Sequence, residues 1–134
     1  MNAFNHIAFH CRDIFAQEKF YTKHFGFKRS RTFHPSQPNE FFMLKLGTVR
    51  LEFFTSGKTG PGDRGGEQPI GCKHLAFDVP KIEPILEALR ADGIEPDPII
   101  DCSKVADGMC IVFFRDPEGN IIELMENYRD ETDA

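Results

Sequence analysis

NHIAFHC at residues 5–11 is repeated as KHLAFDV at residues 73–79, and this repeat indicates how the chain folds. Each copy carries a His, then an apolar residue, an Ala and a Phe, which is the alternation expected of a strand with two different faces. The two imidazoles, His6 and His74, are 68 positions apart. The repeat therefore predicts a chain built from two similar modules.

Two acidic residues repeat at nearly the same spacing. Glu52 lies in VRLEFFT and Glu123 lies in IIELMEN, 71 positions later. A lone buried carboxylate costs several kcal/mol unless it is paired or bound to metal. Taken singly, such a His is more often a core residue and such a Glu a surface one. Four matched coincidences in two repeats instead predict a divalent metal site made of His6, Glu52, His74 and Glu123.

The hydrophobic pattern gives each module the order strand, helix, then strands that end in the Glu-bearing segment. Helices are predicted at about 14–25 and 81–92, and the second follows the i, i+3, i+4, i+7 spacing of one buried face. The turn residues at 116–119 predict a hairpin. Strands are predicted near 4–11, 28–34, 40–46, 49–55, 97–101, 109–115 and 120–126.

The 134 residues suit a single domain. We expect module 1 at about 4–56, a Gly-rich linker at about 57–71 and module 2 at about 72–127. The linker is interpreted as a plain connection between modules rather than a flap over a ligand. Two modules in one domain can pack about a pseudo-two-fold axis, which would bring the four polar side chains together.

Alternation also predicts which residues accompany the ligands. If His6 points into a cavity, Ala8 and His10 follow it, as Ala76 and Asp78 follow His74. The small Ala beside each His leaves room for an ion. The pocket is expected to be aromatic, although most of the strand phenylalanines should be core: Phe41, Phe42, Phe53, Phe54, Phe113 and Phe114.

Four cysteines are present, but none forms a C-x-x-C pair. Cys11, Cys72, Cys102 and Cys110 are therefore predicted to be free and mostly buried thiols. Cys72 lies two residues before His74, where a thiolate could approach the metal, but a structural role is favoured.

The net charge of −5 and the absence of a basic cluster argue against nucleic acid or an anionic membrane as partner. No stretch approaches the roughly 20 apolar residues of a membrane span, and the N-terminus lacks the pattern of a signal peptide. A small-molecule ligand and a cytoplasmic location are predicted.

The chain resembles the vicinal-oxygen-chelate superfamily, which includes glyoxalase I, methylmalonyl-CoA epimerase, extradiol dioxygenases and fosfomycin-resistance enzymes. The resemblance spans nearly the whole chain and rests on NHIAFHCRD, EKFYTKHFGF, KHLAFDV and FFRDPEGNIIELME. It implies an α+β fold of two paired βαβββ modules, whose mixed sheets curl into a cup around a divalent ion. A homodimer is also implied.

By this resemblance the metal ligands carry over onto His6, Glu52, His74 and Glu123, the set already chosen from the pattern. Four ligands are most similar to glyoxalase I, because methylmalonyl-CoA epimerases place Gln where Glu52 stands. The resemblance thus implies a metal-dependent lyase or isomerase. After Glu52 the chain lacks the Asn-Trp-Gly run of glyoxalase I, so glutathione dependence stays open.

Two imidazoles and two carboxylates offset a 2+ charge and leave positions for substrate oxygens. A metal that holds a carbonyl oxygen acidifies the adjacent C–H and stabilises an enediolate, while a carboxylate that leaves the metal moves the proton. Glu123 is the first choice for that base and Glu52 the second. Ni, Zn, Co, Mn and Fe(II) are all compatible with these ligands. Arg31 and Lys104 are candidates to meet an anionic carbonyl substrate or a thiol adduct.

Two other functions fit the pattern less well. A ring-cleaving Fe(II) dioxygenase would use His6, His74 and Glu123, since two His and one carboxylate suit O₂ chemistry. A metal-free binding protein, like the antibiotic-sequestering members of the superfamily, should lack the four ligands. The Gly-rich linker also leaves open whether the four ligands meet within one chain or across a swapped dimer.

Overall fold

The computed structural model describes residues 3–56 and 72–131. The chain divides into two compact units, Met1–Glu67 and Gln68–Ala134. Each unit holds one helix and one four-stranded mixed sheet. The predicted linker at 57–71 lies outside the described residues.

The first unit has one parallel strand pair at the edge of an otherwise antiparallel sheet. Its strand order is β1-β4-β3-β2, in which β1 is parallel to β4 and the other neighbours are antiparallel. The helix connects β1 to β2, the first strand of the antiparallel part. The elements are β1 (Ile7–Cys11), α1 (Ile14–Phe25), β2 (Lys28–Phe33), β3 (Phe41–Leu46) and β4 (Val49–Thr55).

The second unit repeats this topology. Its strand order is β5-β8-β7-β6, again with only the first pair parallel. The α+β fold of two βαβββ modules is thereby confirmed. The elements are β5 (Leu75–Asp78), α2 (Glu83–Ala91), β6 (Ile100–Asp101), β7 (Cys110–Arg115) and β8 (Ile121–Glu126).

Helix α1 has clear end signals and the predicted bounds. The Asp13 carboxylate accepts hydrogen bonds from the backbone N–H groups of Phe15 and Ala16, at 3.1 and 3.0 Å. Such an N-cap satisfies donors that the first helical turn leaves free. At the other end Gly26 adopts a φ of +78°, a left-handed conformation that ends helices and favours glycine.

Helix α2 begins two residues later than the predicted start at 81. Pro84 lies in its first turn, where the missing N–H costs no intrahelical bond. The backbone N–H of Ile82 donates to the Glu126 carboxylate at 2.8 Å, which ties the start of the helix to β8. Leu86 and Leu89 are fully buried, as their spacing predicts.

Each unit has its own apolar core between helix and sheet. Burying a large apolar side chain contributes roughly 1.5–3 kcal/mol. In the first unit the helix and sheet bury Ile14, Phe20, Tyr21, Phe27, Phe42, Leu44, Leu51 and Phe53. In the second unit they bury Ile82, Leu86, Leu89, Val112, Phe114, Ile122 and Leu124.

Strand boundaries differ from the prediction mainly in the second unit. The strand predicted at 97–101 forms only at Ile100–Asp101. Asp97 does donate its backbone N–H to the carbonyl of Phe113, at 2.8 Å. Pro98 follows, and because proline has no N–H it interrupts the ladder. β1 likewise begins at Ile7 rather than residue 4.

The hairpin predicted at 116–119 is confirmed. The Asp116 carboxylate accepts hydrogen bonds from the backbone N–H groups of Glu118 and Asn120 and from the Asn120 side chain, each at 2.9 Å. Gly119 has a φ of +89°, which a residue with a Cβ rarely adopts. Asp116 therefore holds the turn that positions β8 beside β7.

The four cysteines are free, as predicted, but they are not mostly buried. Only Cys11 is buried; Cys72 is exposed, and Cys102 and Cys110 are half-buried. The prediction relied on the usual burial of free thiols, whereas Cys72 precedes β5 in a segment without sheet neighbours. No helix among residues 3–56 and 72–131 is long and apolar enough to span a membrane.

Candidate metal centre

The first unit pairs His6 with Glu52. His6 lies one residue before β1 rather than inside it, and Glu52 lies at the centre of β4. The His6 Nε2 atom is 3.3 Å from Glu52 Oε1. Glu52 is only 7% exposed, and the residues on either side of it, Leu51 and Phe53, belong to the core. The ring and the carboxylate are close enough to bind one ion together.

The second unit pairs His74 with Glu123 in the same way. His74 precedes β5 by one residue, Glu123 is central in β8, and the Nε2–Oε1 distance is 3.1 Å. Glu123 is 8% exposed. The ring of Phe113 packs edge-on against His74, with 5.5 Å between centroids. The repeat seen in the sequence is therefore also a repeat of geometry.

Strand register explains why both pairs form. In the parallel pairing of each unit, Glu52 is opposite Ala8 and Glu123 is opposite Ala76. Both alanines are exposed, while the apolar residues between them and the ligands turn toward the helix side. The predicted alternation is confirmed, and only a methyl group stands beside each carboxylate.

Asn5 fixes the orientation of the His6 ring. His6 Nδ1 lies 2.8 Å from Asn5 Oδ1. An amide oxygen only accepts, so a neutral ring that donates from Nδ1 keeps the lone pair of Nε2 for a metal. Ligating histidines are commonly held in this way by a second polar group. Asn5 can therefore hold His6 in the tautomer in which a neutral ring binds metal through Nε2.

In that tautomer two acceptors face each other. His6 Nε2 and Glu52 Oε1 are 3.3 Å apart. A buried carboxylate beside a second acceptor is unfavourable, and a cation between the two removes the conflict. In the second unit His74 Nδ1 is buried and has no hydrogen-bond partner among the described residues. The donor set fits a divalent ion.

Each unit alone supplies two ligands. Within residues 3–56 and 72–131, no three or more His, Cys, Asp or Glu side chains gather into one group that could hold an ion. Transition metals in proteins usually take three or four protein ligands. The structure thus brings the four predicted ligands together as two pairs. Cys72 does not join the second pair, and its thiol lies 3.8 Å from the carbonyl oxygen of His74.

The two predicted substrate residues lie in different surroundings. Arg31 is on β2 opposite Met43, which is itself opposite Glu52, so Arg31 shares the face of the first pair. Lys104 is exposed in the segment between β6 and β7. It is not among the residues that line the cleft beside His74.

That cleft was not predicted. It has a volume of about 480 Å³ and lies wholly within the second unit. A ligand pocket typically measures about 300–1,000 Å³. The loop after α2 contributes two carboxylates to its lining. For the lining residues on β7 and β8, the only indication in the sequence is the alternation of side chains along each strand. Its lining includes Lys73, His74, Glu95, Asp97, Phe113 and Arg115.

The six strand phenylalanines, which were expected to be mostly core, fall into two sets. Phe42, Phe53 and Phe114 are buried core residues. Phe41, Phe54 and Phe113 alternate with them and are half-buried on the faces that carry Glu52 and Glu123. The expectation of a mainly core role is thus right for one face of each strand.

The repeat topology and the two His–Glu pairs can be compared with known proteins. Residues 3–124 match the model of the glyoxalase/bleomycin resistance protein/dioxygenase superfamily. The chain belongs to this superfamily. Many of its members are enzymes, and divalent metals are common among them.

Individual relatives cover nearly the full chain. YwkD, an uncharacterized protein of Bacillus subtilis (strain 168), is 29% identical over 128 residues, which are 94% of this chain and 98% of YwkD. A glyoxalase family protein from Enterococcus faecalis is 33% identical, with a TM-score of 0.74 over 92% of this chain and 97% of its own. Lactoylglutathione lyase from Agrobacterium tumefaciens, 23% identical, shares the fold with a TM-score of 0.64 over 95% of each chain.

Proposed function

We propose that this protein is a divalent-metal-dependent lyase or isomerase of the glyoxalase type, which moves a proton on the carbon beside a carbonyl group. The observation that carries the proposal is the pair of equivalent His–Glu contacts, at 3.3 Å in one unit and 3.1 Å in the other. A metal-free binding protein has no need of four such residues. A shared fold alone does not determine which reaction a protein catalyses.

His6, Glu52, His74 and Glu123 would hold the ion, two from each unit. The two carboxylates offset its 2+ charge, and the mixed N/O set accepts Ni, Zn, Co, Mn or Fe(II). When bound, such an ion supplies Lewis-acid activation of a substrate carbonyl, which acidifies the neighbouring C–H. The two units that share an ion would belong either to the same chain or to different subunits of a homodimer.

Glu123 is the proposed proton acceptor. Its carboxylate would take the proton from the substrate carbon, so that the C–H bond breaks, an O–H bond forms and the electron pair moves toward the carbonyl. Returning the proton to the neighbouring carbon, while the hydroxyl proton moves to the former carbonyl oxygen, completes an isomerisation; returning it to the other face of the same carbon completes an epimerisation. A carboxylate that is 8% exposed is shielded from water, which helps it to keep that proton during turnover. Glu52 is the alternative acceptor.

The proposed substrate is an anionic carbonyl compound that would contact the cleft beside His74. Lys73 and Arg115 line that cleft together with two carboxylates, Glu95 and Asp97, so its charges offset each other, while Phe113 offers an apolar wall. A thiol adduct is a second substrate class with the required carbon acid. Small-molecule turnover in the cytoplasm is the setting that we infer, with neither nucleic acid nor membrane as partner.

Activity of the metal-loaded protein tests the proposal. The protein is loaded separately with each candidate ion and assayed with thiol hemithioacetals of 2-oxoaldehydes and with 2-substituted acyl-CoA epimers. We expect one class to be converted, and Glu123→Gln to lower kcat by at least about a hundredfold. Glu87→Gln, which removes an exposed carboxylate on α2, is the matched control.

Inertness of the metal-loaded protein toward both substrate classes would overturn the proposal. Oxygen uptake with catechols by the Fe(II) form would then favour the ring-cleaving dioxygenase. Failure of every ion to bind would favour the metal-free binding protein.

A further inference from the structure

A row of aromatic rings crosses the first sheet on the face that carries Glu52. The aromatic row consists of His10 on β1, Phe54 on β4, Phe41 on β3 and Phe33 on β2. Ring centroids are 6.3 Å apart for His10 and Phe54, 4.3 Å for Phe54 and Phe41, and 4.5 Å for Phe41 and Phe33. The last two pairs are stacked, with interplanar angles of 24° and 9°. The rings form a continuous apolar strip across four strands.

The aromatic row lies next to the candidate ligand. Phe54 follows Glu52 by two residues on the same face of β4, a separation of about 7 Å along a strand. Phe54, Phe41 and Phe33 are half-buried rather than enclosed by the core. A planar group lying on the strip would therefore have its neighbouring atoms within reach of the Glu52 carboxylate.

The sheet does not need aromatic rings at these positions to form. The second unit has the same strand order and the same register around Glu123. Cross-strand aromatic pairs can stabilise a sheet, but the second unit forms its sheet without them. Its residues equivalent to His10, Phe54, Phe41 and Phe33 are Asp78, Met125, Ile111 and Ile100. The two units therefore match at their His–Glu pairs and differ two residues further along each strand.

A cation accompanies the aromatic row. The register places Arg31 level with Glu52 and two strands away, about 10 Å across the sheet. The Arg31 guanidinium carbon is 5.4 Å from the centroid of Phe33, so the charge borders the end of the strip. A planar guanidinium beside an aromatic surface suits a flat ligand that carries a carboxylate or a similar anion.

We propose that the aromatic row binds the planar aromatic part of an anionic substrate, with Arg31 meeting the negative group. This inference rests on the proposed function for the reacting carbonyl, which would lie toward Glu52. It narrows the substrate class to aromatic carbonyl acids or aromatic adducts. It also assigns recognition of the aromatic and anionic end of the substrate to the first unit.

Binding of 2-naphthoate tests this assignment without any turnover. The ligand is titrated into the protein as purified and again after chelation, so that a bond from carboxylate to metal cannot account for the binding. We expect upfield shifts of the naphthoate protons in NMR spectra from the stacked rings. Phe54→Leu and Phe41→Leu should each weaken binding by roughly three- to tenfold.

Three comparisons make the result specific. Met125→Leu, at the position equivalent to Phe54 in the second unit, should leave the affinity unchanged. Decahydro-2-naphthoate, with the same carbon skeleton but no planar ring, should bind at least about tenfold more weakly. Arg31→Gln should weaken 2-naphthoate but not neutral 2-naphthalenemethanol.

Equal binding of the planar and saturated acids, or unchanged binding in both Phe variants, would overturn the inference. Because the titration measures binding and needs no catalysis, it tests the inference even if the protein lacks the proposed enzymatic activity. Thermal melting of each variant shows that it is folded, and the ring-current shifts on the unmodified protein provide a second readout.

Discussion

Glu52 is opposite Ala8 in the parallel pairing of β1 and β4, and Glu123 is opposite Ala76 at the equivalent place in the other unit. Each alanine projects from the ligand face next to a buried carboxylate. A methyl group there leaves the space in front of the carboxylate open. We expect metal binding to depend on these small residues as well as on the four proposed ligands.

Replacing Ala8 with Leu should therefore fill the first pair's space. Because Ala8 is exposed, stability should change by less than about 1 kcal/mol, while metal affinity should fall by tenfold or more. Competition with a chromophoric chelator measures the affinity. Ala91→Leu, at an exposed position on α2, is the control, and equal affinities in the two variants would refute this role for Ala8.

Asn5 should act as the group that orients His6. Removing the partner of a ligating His typically lowers metal affinity by about 10- to 100-fold. We expect that loss for Asn5→Ala and recovery for Asn5→Asp, whose carboxylate can still accept from Nδ1. If Asn5 had only a structural role, its substitution would change the free energy of unfolding, and Asn5→Asp would not restore metal affinity.

The turn before β8 should depend on Asp116. The Asp116→Ala variant leaves three donors without their acceptor, so the free energy of unfolding should fall by about 1–3 kcal/mol. Urea denaturation measures this change. Asp107→Ala, at an exposed position, should stay within about 0.5 kcal/mol of the unmodified protein. Similar losses in both variants would show that the turn contacts contribute little.

Cys110 should be slow to alkylate. Burial raises the pKa of its thiol, and the negative charge of Glu126 and their contact at 3.7 Å raise the pKa further. Only the thiolate reacts with iodoacetamide, so exposed Cys72 should be modified first at pH 8. Peptide mass spectrometry at several pH values follows each site.

The sign of the pH dependence follows from that raised pKa. The stability gained by keeping the Cys110 thiol protonated is complete below the unfolded-state pKa, and it is lost as pH rises through the higher folded-state value. Glu126→Gln should lower the Cys110 pKa and speed alkylation, while the amide oxygen still accepts from Ile82. An unchanged rate profile in this variant would contradict the role of the Glu126 charge.

Much of the fold is predictable because its signals are local. The bounds of α1 follow from two local signals. The Asp13 side chain caps the start of the helix, and Gly26 ends it in a left-handed conformation. The hairpin follows in the same way from Asp116 and Gly119. The two His–Glu pairs are predictable for a different reason, since the repeat supplies an internal comparison in which four weak signals support one another.

The features that the sequence did not reveal depend on distant neighbours. The cleft beside His74 combines β7 and β8 with the loop after α2, and no local pattern couples these segments. The aromatic row needs the register of four strands before Phe33 and Phe54 can be placed in one line. The shortened β6 reflects Pro98, whose effect depends on which strand lies beside it.

The metal content of protein purified without added metal is the decisive measurement for a site formed by His6, Glu52, His74 and Glu123. We predict one equivalent per chain in the unmodified protein, thermal destabilisation on chelation, and loss of metal in each of His6→Gln, Glu52→Gln, His74→Gln and Glu123→Gln, with Glu87→Gln unaffected. No bound metal, and no stabilisation when Ni, Zn, Co, Mn or Fe(II) is added back, would contradict it. Metal that depends on only one of the two pairs would contradict the claim that both units build a single site.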